Sequence, residues 1–301
     1  MVDLEHLLSI LNLEELDAGL FRGQILMPDR PHVYGGQVLA QALEAATRTV
    51  PEQRRVHSMH AYFLRPGDHQ HPIIYDVEAI RDGGSFTTRR VVAKQHGKAI
   101  FISSMSFKAF EKGFEHQADM PDVPQPESLE SDLEYWKRID PKHFRQRMLA
   151  IETRSINRID PSSLEASEPV NGLWFKPSGP IPSGSTMNEV LIAFASDLSF
   201  MGTSFRPHPI NFQTKGLQAA SIDHTIWFHT EITTNDWLYY HMDSPRASNA
   251  TGFNRGSIYT RDGILIASTA QEGLMRVRQD QASQEKPSDT GHHAHGTKTS
   301  V

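Results

Sequence analysis

Ser221-Ile222-Asp223-His224-Thr225-Ile226-Trp227 decides the fold, because the first half of the chain carries its echo, His57-Ser58-Met59-His60-Ala61-Tyr62-Phe63. The two stretches match residue class for residue class, and the likeness extends outward from both. Arg89 and the His96-Gly97 turn lie over Arg255 and the Asp262-Gly263 turn. Upstream, the almost uncharged run Gln37–Ala46 answers to Met187–Ala195, two helices rich in Ala, Leu and Ile whose surfaces read as buried. An internal repeat of this length is a statement about architecture: two copies of one α+β unit packed together.

Each copy pairs one helix with β-rich runs. In the first, Val56–Leu64, Ile73–Arg81, Phe86–Gln95 and Lys98–Phe107 carry the branched and aromatic residues that strands favour. His96-Gly97 reads as a tight hairpin turn. In the second, Gly172–Phe175, Leu217–Glu231, Trp237–Ser244, Thr251–Thr260 and Gly263–Arg276 are strand-like. The chain opens with leucines at helical spacing from Leu4 to Leu16, and Gly19–Gly23 turns that helix into a strand.

Domain boundaries follow. Residues 1–110 form the N-terminal unit, and 111–169 a linker with short helices at Leu129–Arg138 and Phe144–Ile151, opened by Pro121, Pro124 and Pro126 among acids. Residues 170–278 form the C-terminal unit. Residues 279–301 lack large apolar side chains apart from Val301 and read as a disordered tail. His292-His293-Ala294-His295 within it could bind a metal only adventitiously.

Composition narrows the function classes. With 30 Lys and Arg against 36 Asp and Glu the net charge is −6, so no basic footprint for nucleic acid is present. There is no cysteine, which removes disulfides, thiolate metal sites and a cysteine nucleophile together. Acids at the N-terminus do not suit a signal peptide, and no run approaches the ~20 apolar residues of a spanning helix. A soluble, cytoplasmic protein is expected. Asn249-Ala250-Thr251 is a glycosylation triplet in form only.

Three residues bear on chemistry. Asp197 follows the apolar run Leu191–Ala195, Ser221 opens a β-rich segment, and Gln271 lies in the last strand, in Thr269–Arg276. A carboxylate, a hydroxyl and an amide meeting at the end of a helix laid across a sheet could hold and activate a water. Gly35 and Gly36 open the first helix, where bare backbone either lets a ligand approach the free N–H groups or lets the helix pack tightly. His57, over Ser221 in the repeat, either lines the site or is structural; Asp223 and His224 read as satisfying each other.

Tyr34-Gly35-Gly36-Gln37, His57-Ser58-Met59-His60 with Phe63–Asp68, Ala195-Ser196-Asp197-Leu198, Ser221–His224 with Trp227-Phe228-His229, and Gln271-Glu272-Gly273 resemble the acyl-CoA thioesterase II family. The resemblance runs from about Leu4 to Arg276. It implies a double hotdog, two tandem units each with a long helix wrapped by an antiparallel sheet. It implies hydrolysis of fatty acyl-CoA, medium- to long-chain, to fatty acid and CoA, with Asp197, Ser221 and Gln271 as the catalytic group. The family's Thr is often found where Ser221 stands, and Ser keeps the hydroxyl. Asp197 would act as general base while Ser221 and Gln271 orient the water; Ser221 as an acylated nucleophile is the weaker route, lacking a nucleophile elbow. A homo-oligomer, dimer or tetramer, is expected from the family. No cofactor or metal is implied. The competing class is a non-catalytic acyl-CoA-binding sensor on the same fold, which would have lost the acid, hydroxyl or amide.

Overall fold

A computed structural model describes residues 2–28, 32–140, 150–158 and 163–278. The expected tail at 279–301 and most of the expected helix from Phe144 lie outside these residues.

The chain opens with α1 (Leu4–Leu11), capped by Asp3, whose Oδ1 accepts from the His6 N–H at 2.9 Å. The helix stops at Leu11, short of the expected Leu16, because Glu14–Asp17 is a strand, β1, in a hairpin with β2 (Leu20–Gly23) through Gly19 at φ 74°. Then come α2 (Gly35–Thr47), β3 (Arg55–Phe63), β4 (Ile73–Asp82), β5 (Phe86–Gln95) and β6 (Lys98–Lys108). All four strands start and end within two residues of the runs read from branched and aromatic content. His96 and Gly97 both take positive φ, 48° and 72°, the two-residue turn that matches strand twist.

A 3-10 turn (Pro126–Ser128), α3 (Asp132–Ile139) and β7 (Ile151–Ser155) lead to β8 (Val170–Pro177), α4 (Met187–Ala195) and α5 (Gly202–Phe205). The second unit closes with β9 (Leu217–Ser221), β10 (Asp223–Phe228), β11 (Leu238–Ser248), β12 (Thr251–Thr260) and β13 (Leu265–Val277). All strands join one 13-stranded antiparallel sheet in the order β1-β2-β4-β5-β6-β3-β10-β13-β12-β11-β8-β7, with β9 beside β13. The units meet edge to edge where β3 pairs β10, from Asp223↔Tyr62 to Trp227↔Ser58. On one face of this sheet lie α2 and α4, buried along nearly their whole lengths in one continuous apolar core. No helix among the described residues is long and apolar enough to cross a membrane.

Four differences from the sequence reading have physical causes. First, Leu217–Glu231 is two strands broken at Ile222, whose N–H and carbonyl bond Glu272 and Phe63 rather than a single partner. Second, the repeat is slipped by one residue. His224 and Ile226 face the core beside Met59 and Ala61, whereas His60 faces outward, its Nδ1 3.5 Å from Thr225 Oγ1. In a strand a one-residue slip exchanges faces, and the bulge between Val56 and Ser58 hides the shift from a class-by-class comparison.

Third, the segment after Glu111 is strapped over the second unit instead of running free. Gln117 bonds the Gly263 carbonyl and the Leu265 N–H, and Trp174 Nε1 donates to the Pro124 carbonyl at 2.9 Å. It covers the aromatic cluster Trp174, Trp237, Tyr239 and Tyr259, apolar area that water would otherwise face. The region continues into β7, which adds a strand to the sheet edge. Fourth, β11 runs on to Ser248, past the expected Ser244, and turns into β12 through Asn249 and Ala250, at φ 52° and 61°.

Candidate active site

Asp197 lies just past the C-cap of α4, and α2 of the other unit begins against it. Asp197 Oδ2 accepts the Gly36 N–H at 3.0 Å. Bare backbone is what permits this. A Cβ on Gly35 would sit 2.8 Å from Asp197 Oδ2, and one on Gly36 would sit 2.3 Å from the Phe194 carbonyl oxygen. The glycine pair therefore brings the two helices together, and the Gly36 N–H is already committed to the carboxylate. Tyr34 tightens the same joint, donating its hydroxyl to the Phe194 carbonyl at 3.0 Å and meeting the Phe194 ring edge-on.

Gln271 sits on β13 where its neighbour changes from β10, paired at 267–270, to β9, paired at 273–277. Ser221 ends β9 at that jog. The topology thus turns both side chains toward α4. Gln271 Nε2 lies 3.0 Å from Asp197 Oδ1, 3.2 Å from Ser221 Oγ and 3.1 Å from His224 Nδ1. The three residues singled out in the sequence come together.

The sequence reading missed His224. It does not pair with Asp223, whose Oδ1 instead accepts the Glu272 N–H at 2.7 Å. His224 is fully buried, with Nε2 2.9 Å from Ser196 Oγ, and Ser196 in turn donates to the Ala193 carbonyl. The Ser196 proton being spent on Ala193, His224 Nε2–H must donate to Ser196, which leaves Nδ1 as acceptor for Gln271. That chain of donors fixes the Gln271 amide with its NH₂ toward Asp197. An amide has two hydrogens for three acceptors here, so the carboxylate takes one and His224 and Ser221 share the other. Gln271 Oε1 has no partner among the described residues.

Burial sets the charges. It pushes the Asp197 carboxyl up to about 6, against hydrogen bonds from Gln271 and Gly36 that favour the anion. Part of Asp197 stays open to solvent while its partners are closed off. Burial takes His224 the other way, down to about 3, so it is neutral at ordinary pH.

His57 is elsewhere. It bonds Ser106 Oγ at 2.8 Å and meets Phe86 edge-on, on the outer face of the sheet. Among the basic residues, Arg89, Arg90, Lys176 and Arg255 each face a carboxylate, and Arg65 donates to the Ala99 carbonyl. A cleft of about 890 Å³ opens beside the site. Tyr34, Leu198 and Ser199 line it, next in sequence to Gly35 and Asp197, whereas Asp197, Ser221 and Gln271 are not part of its lining.

Residues 26–108 match the acyl-CoA thioesterase N-terminal domain and residues 151–274 the acyl-CoA thioesterase domain. The chain is 39% identical to acyl-CoA thioesterase 2 of Haemophilus influenzae over 91% of its length and 98% of that protein's. It is 38% identical to acyl-coenzyme A thioesterase 8 of Mus musculus, over 90% and 88%. In structure it is similar to acyl-CoA thioesterase II TesB2 from Mycobacterium marinum, with a TM-score of 0.75 at 34% identity over 91% and 99%. A hot dog fold protein from Alicyclobacillus acidocaldarius, at 18% identity, shares the architecture with a TM-score of 0.74. Identity of this extent, over nearly the whole of both chains, places the protein in the acyl-CoA thioesterase family, as a double-hotdog thioester hydrolase.

Proposed function

We propose that the protein hydrolyses medium- to long-chain fatty acyl-CoA to free fatty acid and CoA through a water activated by Asp197 and oriented by Ser221 and Gln271. The observation that carries this reading is the Asp197 carboxylate itself. It is held from two sides by the Gly36 N–H and Gln271 Nε2 and has an affinity for protons near 6. A base of that strength is ionised at neutral pH yet takes a proton readily, the compromise general-base catalysis needs.

In the proposed step Asp197 removes a proton as the water oxygen bonds the thioester carbonyl carbon. The tetrahedral intermediate then expels the CoA thiolate, and Asp197 returns the proton to the sulfur. Gln271 cannot take a proton at ordinary pH, so its part is positional: its Nε2 holds the Asp197 carboxylate, and through it the water, in place. Ser221 supplies a second hydroxyl partner. Ser221 has no base of its own here, since the nearest imidazole, His224, is occupied by Gln271 and Ser196, which disfavours an acyl-serine route.

The cleft lined by Tyr34 and Leu198, where Met27, Leu173, Phe205 and Phe212 contribute apolar wall, supports a medium- to long-chain preference. Cytoplasmic residence, a place in fatty acid metabolism and a homo-oligomeric state belong to the same reading; light scattering on the purified protein tests the last. Division into a first unit at 1–110 and a second at 170–278 that carries the chemistry is also part of it. The deciding experiment is release of CoA thiol from acyl-CoA of graded chain length by wild type and Asp197→Asn. A loss in kcat of about a hundredfold or more supports the general base. Equal rates in the two proteins would remove Asp197 from the mechanism, and binding without thiol release in wild type would favour a sensor.

A further inference from the structure

The loop between β3 and β4 brings together three side chains that the hydrolytic site does not use. Asp68 Oδ2 lies 2.7 Å from His71 Nδ1 and 2.9 Å from His96 Nε2. The three donor atoms fall within 4.8 Å of one another, and the two imidazole rings stand edge to face with centroids 4.6 Å apart. Asp68 Oδ1 is occupied by the Gln70 N–H, so Oδ2 alone faces the histidines.

The arrangement is braced from below. Gln95, only 5% exposed, accepts the Asp68 N–H at 2.7 Å through Oε1, and its Nε2 donates to the Asp68 and His71 carbonyls at 2.8 and 2.7 Å. One buried amide thereby fixes the backbone at both ends of the Asp68–His71 segment. The third residue, His96, is carried at φ 48° on the β5–β6 turn that follows Gln95 directly. Two rigid supports present nitrogen, nitrogen and carboxylate oxygen to one point.

From this geometry we infer that Asp68, His71 and His96 form a binding site for a borderline-soft divalent cation of the Zn²⁺ type, with solvent completing the coordination. Two neutral imidazoles and one carboxylate are a donor set that suits zinc, and the carboxylate supplies one negative charge toward the ion. Donor atoms of a tetrahedral zinc site are about 3.3 Å apart, so the 2.7 and 2.9 Å contacts of Asp68 would open slightly and the two nitrogens close to that spacing. A metal here would pin the loop to the hairpin turn. Gly67, next to Asp68, packs against Val33, and its carbonyl accepts the Val33 N–H; the ion would stiffen that contact just upstream of α2. The role is structural and separate from hydrolysis.

The test uses the full chain carrying His292→Ala, His293→Ala and His295→Ala, so that tail imidazoles do not compete. After chelator treatment it is titrated with ZnCl₂ by calorimetry and by thermal melting. The expected result is one saturable equivalent per chain and a melting temperature that climbs until the site fills. His71→Ala and His96→Asn, whose side chain tolerates the positive φ at position 96, should each weaken binding at least about tenfold while keeping the metal-free melting temperature and thiol-release rate. Mg²⁺, which prefers oxygen ligands in octahedral geometry, should bind far more weakly. Absence of a single saturable site, or a site unchanged in both histidine variants, would overturn the assignment.

Discussion

Asp197 Oδ2 and the Gly36 backbone N–H are 3.0 Å apart, although the two residues belong to different repeats. The proposed base of one unit is thus anchored by the first turn of the helix of the other. Neither unit alone assembles the site, and the joint depends on a residue without a side chain.

That joint is sensitive to a single methyl. Gly36→Ala would place its Cβ 2.3 Å from the Phe194 carbonyl oxygen and 2.5 Å from the Tyr34 ring. Backbone on one side cannot give way, so α2 and α4 must separate. The expected cost is about 1–3 kcal/mol, read by urea denaturation, together with a fall in kcat because the N–H leaves Asp197. Unchanged stability would mean that the helices slide without penalty.

The rate should follow the ionisation of Asp197. With its carboxyl at about 6, kcat rises tenfold per pH unit below 6 and is flat above it. The Gln271 hydrogen bond holds that value down, so Gln271→Leu should move the acid limb to higher pH as well as lowering the plateau. The plateau loss is about 10- to 100-fold, the worth of a hydrogen bond to a charged group. A pH–rate profile from 4.5 to 9 checks both; an acid limb that stays in place would detach Gln271 from the base.

Replacing Asp197 should also change stability, and in the opposite sense to activity. A carboxyl raised from 3.8 to about 6 on folding holds its proton more tightly when folded. Stability is therefore lost as pH climbs from 3.8 to 6, by at most about 3 kcal/mol, and by less because Asp197 keeps partial contact with solvent. Asp197→Asn should melt higher than wild type at pH 7.5, with the gap closing toward pH 4. Melting curves at the two pH values decide it.

His224 works in the reverse direction. Its imidazole drops from 6.5 to about 3 on folding, so the unfolded chain binds the proton first and stability falls as pH drops from 6.5 toward 3. His224→Ala leaves Ser196 and Gln271 short of a partner and should cost about 1–3 kcal/mol at pH 7.5. The deficit relative to wild type should shrink at pH 4.5, where wild type also pays to keep His224 neutral. A deficit independent of pH would mean that His224 already titrates normally in the fold.

Ser221→Thr keeps the hydroxyl and should retain kcat within a few-fold, whereas Ser221→Ala should lose roughly fivefold, about one neutral hydrogen bond. Mass spectrometry of a quenched single turnover is expected to find no acyl group on Ser221. An acylated Ser221 would replace direct water attack with a covalent route.

The sequence by itself determined the strands β3 to β6, the two buried helices and the His96–Gly97 turn, because alternation, apolar helical runs and turn chemistry are local properties. It also determined the family, whose motifs carried Asp197, Ser221 and Gln271. Tertiary structure decided what depends on register and on contacts distant along the chain. Which face His224 takes rests on the break at Ile222 and on the bulge in β3, and a one-residue shift reverses it. The Gly36 N–H carries no side chain to mark it, so its bond to Asp197 is invisible until α2 and α4 are packed. The strap after Glu111 looked like a linker for the same reason. Its polar composition is ordinary for a loop, and only the aromatic face of β8, β11 and β12 gives it something to cover.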